Sequence, residues 1–167
     1  MRASMIATAT VALLTLAGCA PSPDPQLQAN KDLVRRFVEA TNAADWDGLT
    51  ALVSEDLVRH SAATPGPPIT SRDGFIELQK AFLQSFPDQK ATVQRMVAEG
   101  DLVAVLATYT GTQTGPMGDL PATGTRVEAP FLGMLRIQDG RIVEMWVEWD
   151  NMAMMKQLGV TPPEPAS

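Results

Sequence analysis

Residues 141–159 read RIVEMWVEWDNMAMMKQLG, a strand pattern that becomes a helix pattern at Asp150. Side chains on a strand alternate between its two faces, which sets Trp146, Glu148 and Asp150 against Val143, Met145, Val147 and Trp149. The second group is wholly apolar and has to be covered. If the first is covered too, two carboxylates lie beside an indole in poor solvent, where burial raises a carboxyl pKa towards the working range of an acid or base. The other reading is an acidic face that is simply wet, since acidic side chains are mostly exposed.

Working outward, 45% hydrophobic content over 167 residues makes one domain with room for a core. The formal charge is -6, and no stretch concentrates Lys or Arg. The electrostatic footprint of a nucleic-acid binder is therefore missing. One Cys and one His exclude an internal disulfide framework and a Cys/His metal site. No metal and no cofactor is expected.

The start of the chain reads as an export signal, with Arg2 followed by an uncharged run over residues 5–16. It ends in Leu16, Ala17, Gly18 and Cys19, which resembles the lipobox of bacterial lipoproteins. That resemblance implies removal of residues 1–18, lipidation of Cys19 and attachment to a membrane in the cell envelope. With Ala20 next, the sorting rule of enteric bacteria implies the periplasmic face of the outer membrane in a Gram-negative cell. Cleavage removes Arg2 and leaves 12 basic against 19 acidic residues, or -7. Residues 19–29 contain several prolines and read as a tether, and residues 161–167 as a Pro-rich tail. The folded domain is expected over residues 30–160.

Within it, Leu33, Val34, Phe37 and Val38 recur at helical spacing, and a short helix follows at residues 46–53 with Asp45 as its cap. A strand at 56–62, a loop at 64–68 and a helix at 71–86, capped by Ser71 or Thr70, come next. The period then changes to strands at 90–98 and 102–111, a hairpin, with an irregular loop at 113–122 and a long strand at 125–137. Gln138, Asp139 and Gly140 turn that strand back into 141–150, and a helix closes the chain before Gly159. Helices followed by an antiparallel run of strands is an α+β pattern. A curved antiparallel sheet wrapped around N-terminal helices would leave a conical cavity.

Residues 42–49, 56–60, 86–88, 99–105, 111–128 and 139–159 together resemble the SnoaL-like polyketide cyclases, or ester cyclases, of the nuclear transport factor 2-like superfamily. The most specific piece is Asp139-Gly140-Arg141-Ile142-Val143-Glu144, followed by Trp146, Asp150 and Gln157-Leu158-Gly159. The resemblance implies a cone-shaped barrel, an internal pocket for a small apolar ligand or substrate, and often a homodimer. It implies Asp150 as general acid/base for an intramolecular aldol cyclisation, with His60 lining the pocket, and strand alternation adds Glu148 as a second carboxylate on the same face. Trp146 would be an apolar wall for a flat ligand or plain core packing, and Gln113, Met117 and Leu120 would contribute to the pocket and its rim. Two departures stand out. Gln113 occupies a place where relatives often have His, and Ser61 follows His60 where they often have an acid. The apolar face of Val143, Met145, Val147 and Trp149 is then expected to pack or to form the dimer surface. Export also conflicts with the family's usual reaction, because polyketide intermediates are cyclised in the cytoplasm. Two functions stay open: a cofactor-independent cyclase or hydrolase using Asp150 with His60 and Glu148 assisting, and a binding or dimerisation module without catalysis.

Overall fold

The computed structural model describes residues 24–63 and 66–160. The export signal, Cys19 and the tail from residue 161 lie outside the described residues. The first helix, α1 (Pro25–Asn42), begins inside the stretch expected to be tether. Asp24 caps it by accepting a hydrogen bond from the Gln26 amide, and Pro25 occupies the first turn, where a missing N–H costs nothing. A proline-rich composition therefore concealed a helix start.

The short helix α2 (Trp46–Leu52) is capped by Asp45, whose carboxylate accepts from Gly48 N at 2.9 Å. It runs directly into β1 (Val53–His60). Next comes α3 (Arg72–Ser85), capped by Ser71, then the hairpin of β2 (Lys90–Glu99) and β3 (Leu102–Thr112). The long β4 (Arg126–Gln138) and β5 (Arg141–Trp149) are joined by Asp139 and Gly140, both at positive φ, 49° and 71°. Two residues of that conformation make the tight turn whose twist suits an antiparallel pair, and Asp-Gly is a favoured sequence for it. The closing helix is α4 (Asn151–Gln157).

The five strands form one sheet in the order β1-β5-β4-β3-β2. It is mixed rather than purely antiparallel, because β1 pairs with β5 in parallel. Nor does it close into a barrel, since β1 and β2 remain its two edges. The helices cover its concave side. Inward residues Val103, Val105, Leu135, Ile142 and Met145 meet Leu33 and Val34 of α1 and Phe75 of α3 in the main core. A second cluster joins Phe86, Tyr109, Val127, Met154 and Leu158 at the other end.

The strand at 141–149 is bulged. Arg136 pairs with Glu144 but Ile137 pairs with Ile142, so Val143 is an extra residue. Ile142 and Met145 are consequently both buried, and from Met145 onward the alternation is regular.

Candidate functional site

Between the concave face of the sheet and helices α1 and α3 lies a cavity of about 120 Å³. Its floor is Gly133 and Leu135 of β4 with Met145, Val147 and Trp149 of β5. Over it stand Val34, Phe37 and Val38 from α1 and Phe75, Gln79 and Phe82 from α3. The apolar face of β5 is therefore the inner one. This corrects the expectation that Trp146, Glu148 and Asp150 face the cone, and of the two uses expected for the apolar face of Met145, Val147 and Trp149 it leaves internal packing rather than a dimer surface. The reason is ordinary hydrophobic partition: the uniformly apolar face goes to the helices and the face carrying carboxylates goes to water.

Trp149 anchors an aromatic wall, meeting Phe82, Tyr109 and Phe131 edge to face at centroid distances of 5.5, 5.8 and 6.4 Å. The indole Nε1 is buried and has no hydrogen-bond partner among the described residues. Tyr109 donates its hydroxyl proton to Gln89 Oε1 at 3.1 Å, and burial raises the phenol pKa well above its ordinary 10.0. Asn42 pairs with the Ala91 backbone, donating to its carbonyl and accepting from its amide, both at 2.8 Å. The remaining polar lining is the Gln79 amide, Thr41 and Arg59. Arg59 is 5% exposed, in phase with buried Leu57 on β1. Burial lowers the pKa of its guanidinium, and the nearby Glu148 charge opposes that shift.

The residues chosen from sequence lie elsewhere. His60 ends β1 and pairs with Trp146 on the outer side of the sheet, the two rings stacked at 5.3 Å and 14°. Its Nε2 is 2.9 Å from Glu144 Oε1, and Arg136 Nε donates to Glu144 Oε2 at 3.1 Å. The His60 hydrogen bond, and after it Arg136, hold the Glu144 carboxyl below its ordinary pKa. Arg136 also reaches Asp101 and lies 5.8 Å from the Trp146 ring. This is a surface network, not a cavity lining.

Glu148 is exposed and accepts from the amides of Ala62 and Ala63, at 2.7 and 3.1 Å, which fastens the chain leaving β1. Asp150 is exposed and caps α4, accepting from Ala153 N at 2.9 Å. Gln113 is fully buried, yet it faces its own loop. Its Nε2 donates to the carbonyls of Gly115 and Pro121, and its Oε1 accepts from the Thr123 amide and hydroxyl. Gly115 sits so near the end of α3 that a Cβ there would lie 2.1 Å from the Gln84 carbonyl oxygen. Met117 and Leu120 pair in the same loop and pack on the second core cluster. None of Asp150, His60, Glu148, Trp146, Gln113, Met117 and Leu120 lines the cavity.

Sequence reading missed Arg59, Gln79, Tyr109 and Trp149. The signal for two of them was present: Arg59 shares the phase of Leu57, and Trp149 that of Met145 and Val147. Among the described residues no three of His, Cys, Asp or Glu are grouped as a metal site would require.

A curved, open α+β sheet that cups its helices around a cavity defines the nuclear transport factor 2-like class of folds. The profile of the SnoaL-like polyketide cyclases matches residues 31–158, and the chain belongs to that family. It is 27% identical over 136 residues to aklanonic acid methyl ester cyclase DauD of Streptomyces sp. (strain C5), covering 80% of this chain and 84% of that protein. Among solved structures, IdmH of Streptomyces antibioticus is 38% identical with a TM-score of 0.70, covering 78% of this chain and 99% of that one. AclR of Streptomyces galilaeus is 31% identical with a TM-score of 0.72, covering 83% and 86% respectively.

Proposed function

We propose that this SnoaL-like domain binds a compact, largely apolar small molecule in the cavity between α1, α3 and the concave face of the sheet, without acid/base catalysis by Asp150, His60 or Glu148. One observation carries the reading. The cavity is walled by aliphatic and aromatic side chains with a few amides and Arg59, while the three acid/base candidates lie on the outer face or at its end. Groups outside the cavity do not reach a ligand atom held within it, and reach comes before pKa in assigning a general base. The volume suits a small ligand. About 120 Å³ is slightly below the roughly 150 Å³ of an engineered cavity that binds benzene.

A second reading, a cyclase, is favoured by the sequence similarity to a protein named as an aklanonic acid methyl ester cyclase. The two separate experimentally. Titration calorimetry with one-ring compounds, beside turnover assays on esters and lactones, should give binding without turnover. Turnover abolished by Asp150→Asn would overturn the binding reading in favour of catalysis.

Export and lipidation at Cys19 complete the proposal and rest on the sequence alone. An envelope-anchored binding protein has no need of the cytoplasmic polyketide pool. Cys19→Ser should move the protein from the membrane to the soluble fraction, and retention in the membrane would end that part. Pairing into a homodimer would use the outer face of the sheet, where Leu132 and Met134 are exposed beside Trp146. Sedimentation of wild type against Leu132→Glu, Met134→Glu tests it.

A further inference from the structure

The cavity carries a sign. Among its described lining residues the only formal charge is the Arg59 guanidinium, which the Glu148 charge approaches from outside the lining, and the polar groups of the lining include further donors. Gln79 offers an amide N–H, and the Trp149 Nε1–H is buried without a partner among the described residues. Tyr109 has committed its hydroxyl proton to Gln89. A site built from a buried cation and N–H donors, walled by aromatic rings, complements an oxyanion attached to an apolar body. A guanidinium has five N–H donors in one plane, so it holds contacts to the protein and to a ligand carboxylate together.

The floor leaves room for the apolar body at Gly133. This glycine is in the middle of β4, paired with Val105 and Val147, where glycine weakens a strand by about 0.5–1 kcal/mol relative to alanine. Neither conformation nor crowding requires it. A Cβ there would meet nothing closer than Leu135 Cδ1 at 3.8 Å and the Trp146 carbonyl oxygen at 3.9 Å. What the missing side chain does leave is space in the cavity, beside Trp149 and Val147. By register, Arg59 pairs with Met145, which pairs with Leu135, two residues along β4 from Gly133. The Cα atoms of Arg59 and Gly133 are thus separated by two strand spacings and two residues, on the order of 12 Å. That span, bridged partly by the long arginine side chain, leaves the length of one ring bearing one acid group.

We propose that the ligand is a compact monocarboxylate, its ring or branched chain lying over Gly133 against Trp149 and its carboxylate held by Arg59. The inference rests on the binding function proposed above and adds the charge and size of the ligand. Burial of Arg59 fits it, because a desolvated guanidinium gains more from an anion than an exposed one does.

The test is calorimetric titration of the purified full-length protein with benzoate and cyclohexanecarboxylate, each beside its neutral amide. The acids should bind about 10- to 100-fold more tightly than the amides. In Arg59→Met, which keeps the apolar stem and drops the charge, that preference should vanish while amide binding persists. Gly133→Val should weaken acid and amide together. Equal affinity of acid and amide for the wild type would overturn the carboxylate inference while leaving an apolar ligand cavity standing. Failure of all four compounds to bind would remove both. If Arg59→Met does not fold, the wild-type comparison of acid with amide still decides.

Discussion

The two faces of β5 run along the same nine residues and share one backbone, yet they do opposite things. On the concave side Met145, Val147 and Trp149 enter the core and the cavity. On the convex side Glu144 and Trp146 join His60 and Arg136 in a half-exposed network, and Glu148 fastens the segment after β1. The residues richest in chemistry by type are on the outside. The difference teaches that a carboxylate beside an indole marks a site only when the face carrying it is the enclosed one. Here the enclosed face offers a cation and amides instead.

The sharpest way to break this contrast is to make one chemical change on each face. Measured on the monomer, Met145→Ala, at 1% exposure, should cost about 2–5 kcal/mol, whereas Met134→Ala, at 37% exposure on the convex side, should cost less than about 0.5 kcal/mol. Denaturant midpoints of the two variants measure it, and similar losses would show that the convex face is covered as well. Next in size is Gln113→Leu. Removing the amide strands the carbonyls of Gly115 and Pro121 and the Thr123 donors, at about 1–3 kcal/mol, and should open the 113–123 loop to proteolysis.

Asp150→Ala should cost about 1 kcal/mol through loss of the α4 cap, with Asp150→Asn nearly neutral because Asn caps as well. Ligand affinity should not move in either variant; a large loss of affinity in Asp150→Asn would place that side chain in the binding site after all.

The smallest effect is a pH dependence. His60 and Arg136 depress the Glu144 pKa below its ordinary 4.5, so the folded protein binds that proton less readily than the unfolded chain. The resulting stabilisation is complete above pH 4.5 and is lost as the pH falls through the lower folded value. Unfolding midpoints of wild type and Glu144→Gln should therefore differ at about pH 6 and converge as the pH falls through the lower folded value. A gap that stays constant would mean that the contact contributes by packing rather than charge.

Much of the fold was legible because its signals are local. Asp45 and Ser71 cap the helices that follow them, the hydrophobic period changes after Pro87, and Asp139-Gly140 forms the turn before β5. The start of α1 was not, because Asp24 and Pro25 serve equally in a tether and in a first helical turn. The parallel pairing of β1 with β5 was also hidden, since it joins segments about 85 residues apart and leaves no mark on either strand alone. Candidate site residues were harder still. His60 was singled out as the only histidine, whereas Arg59 beside it is the one turned inward.

By itself the sequence determined the family, the α+β order of elements and the alternation along residues 145–149. These depend on residue types at short spacing, which a linear chain displays in full. The tertiary structure alone decided which side of that alternation is enclosed, that Gln113 holds a loop, and that Arg59, Gln79 and Trp149 meet around one cavity beside Gly133. Those facts depend on how distant segments pack. A strand's two faces are distinguished only when something else covers one of them.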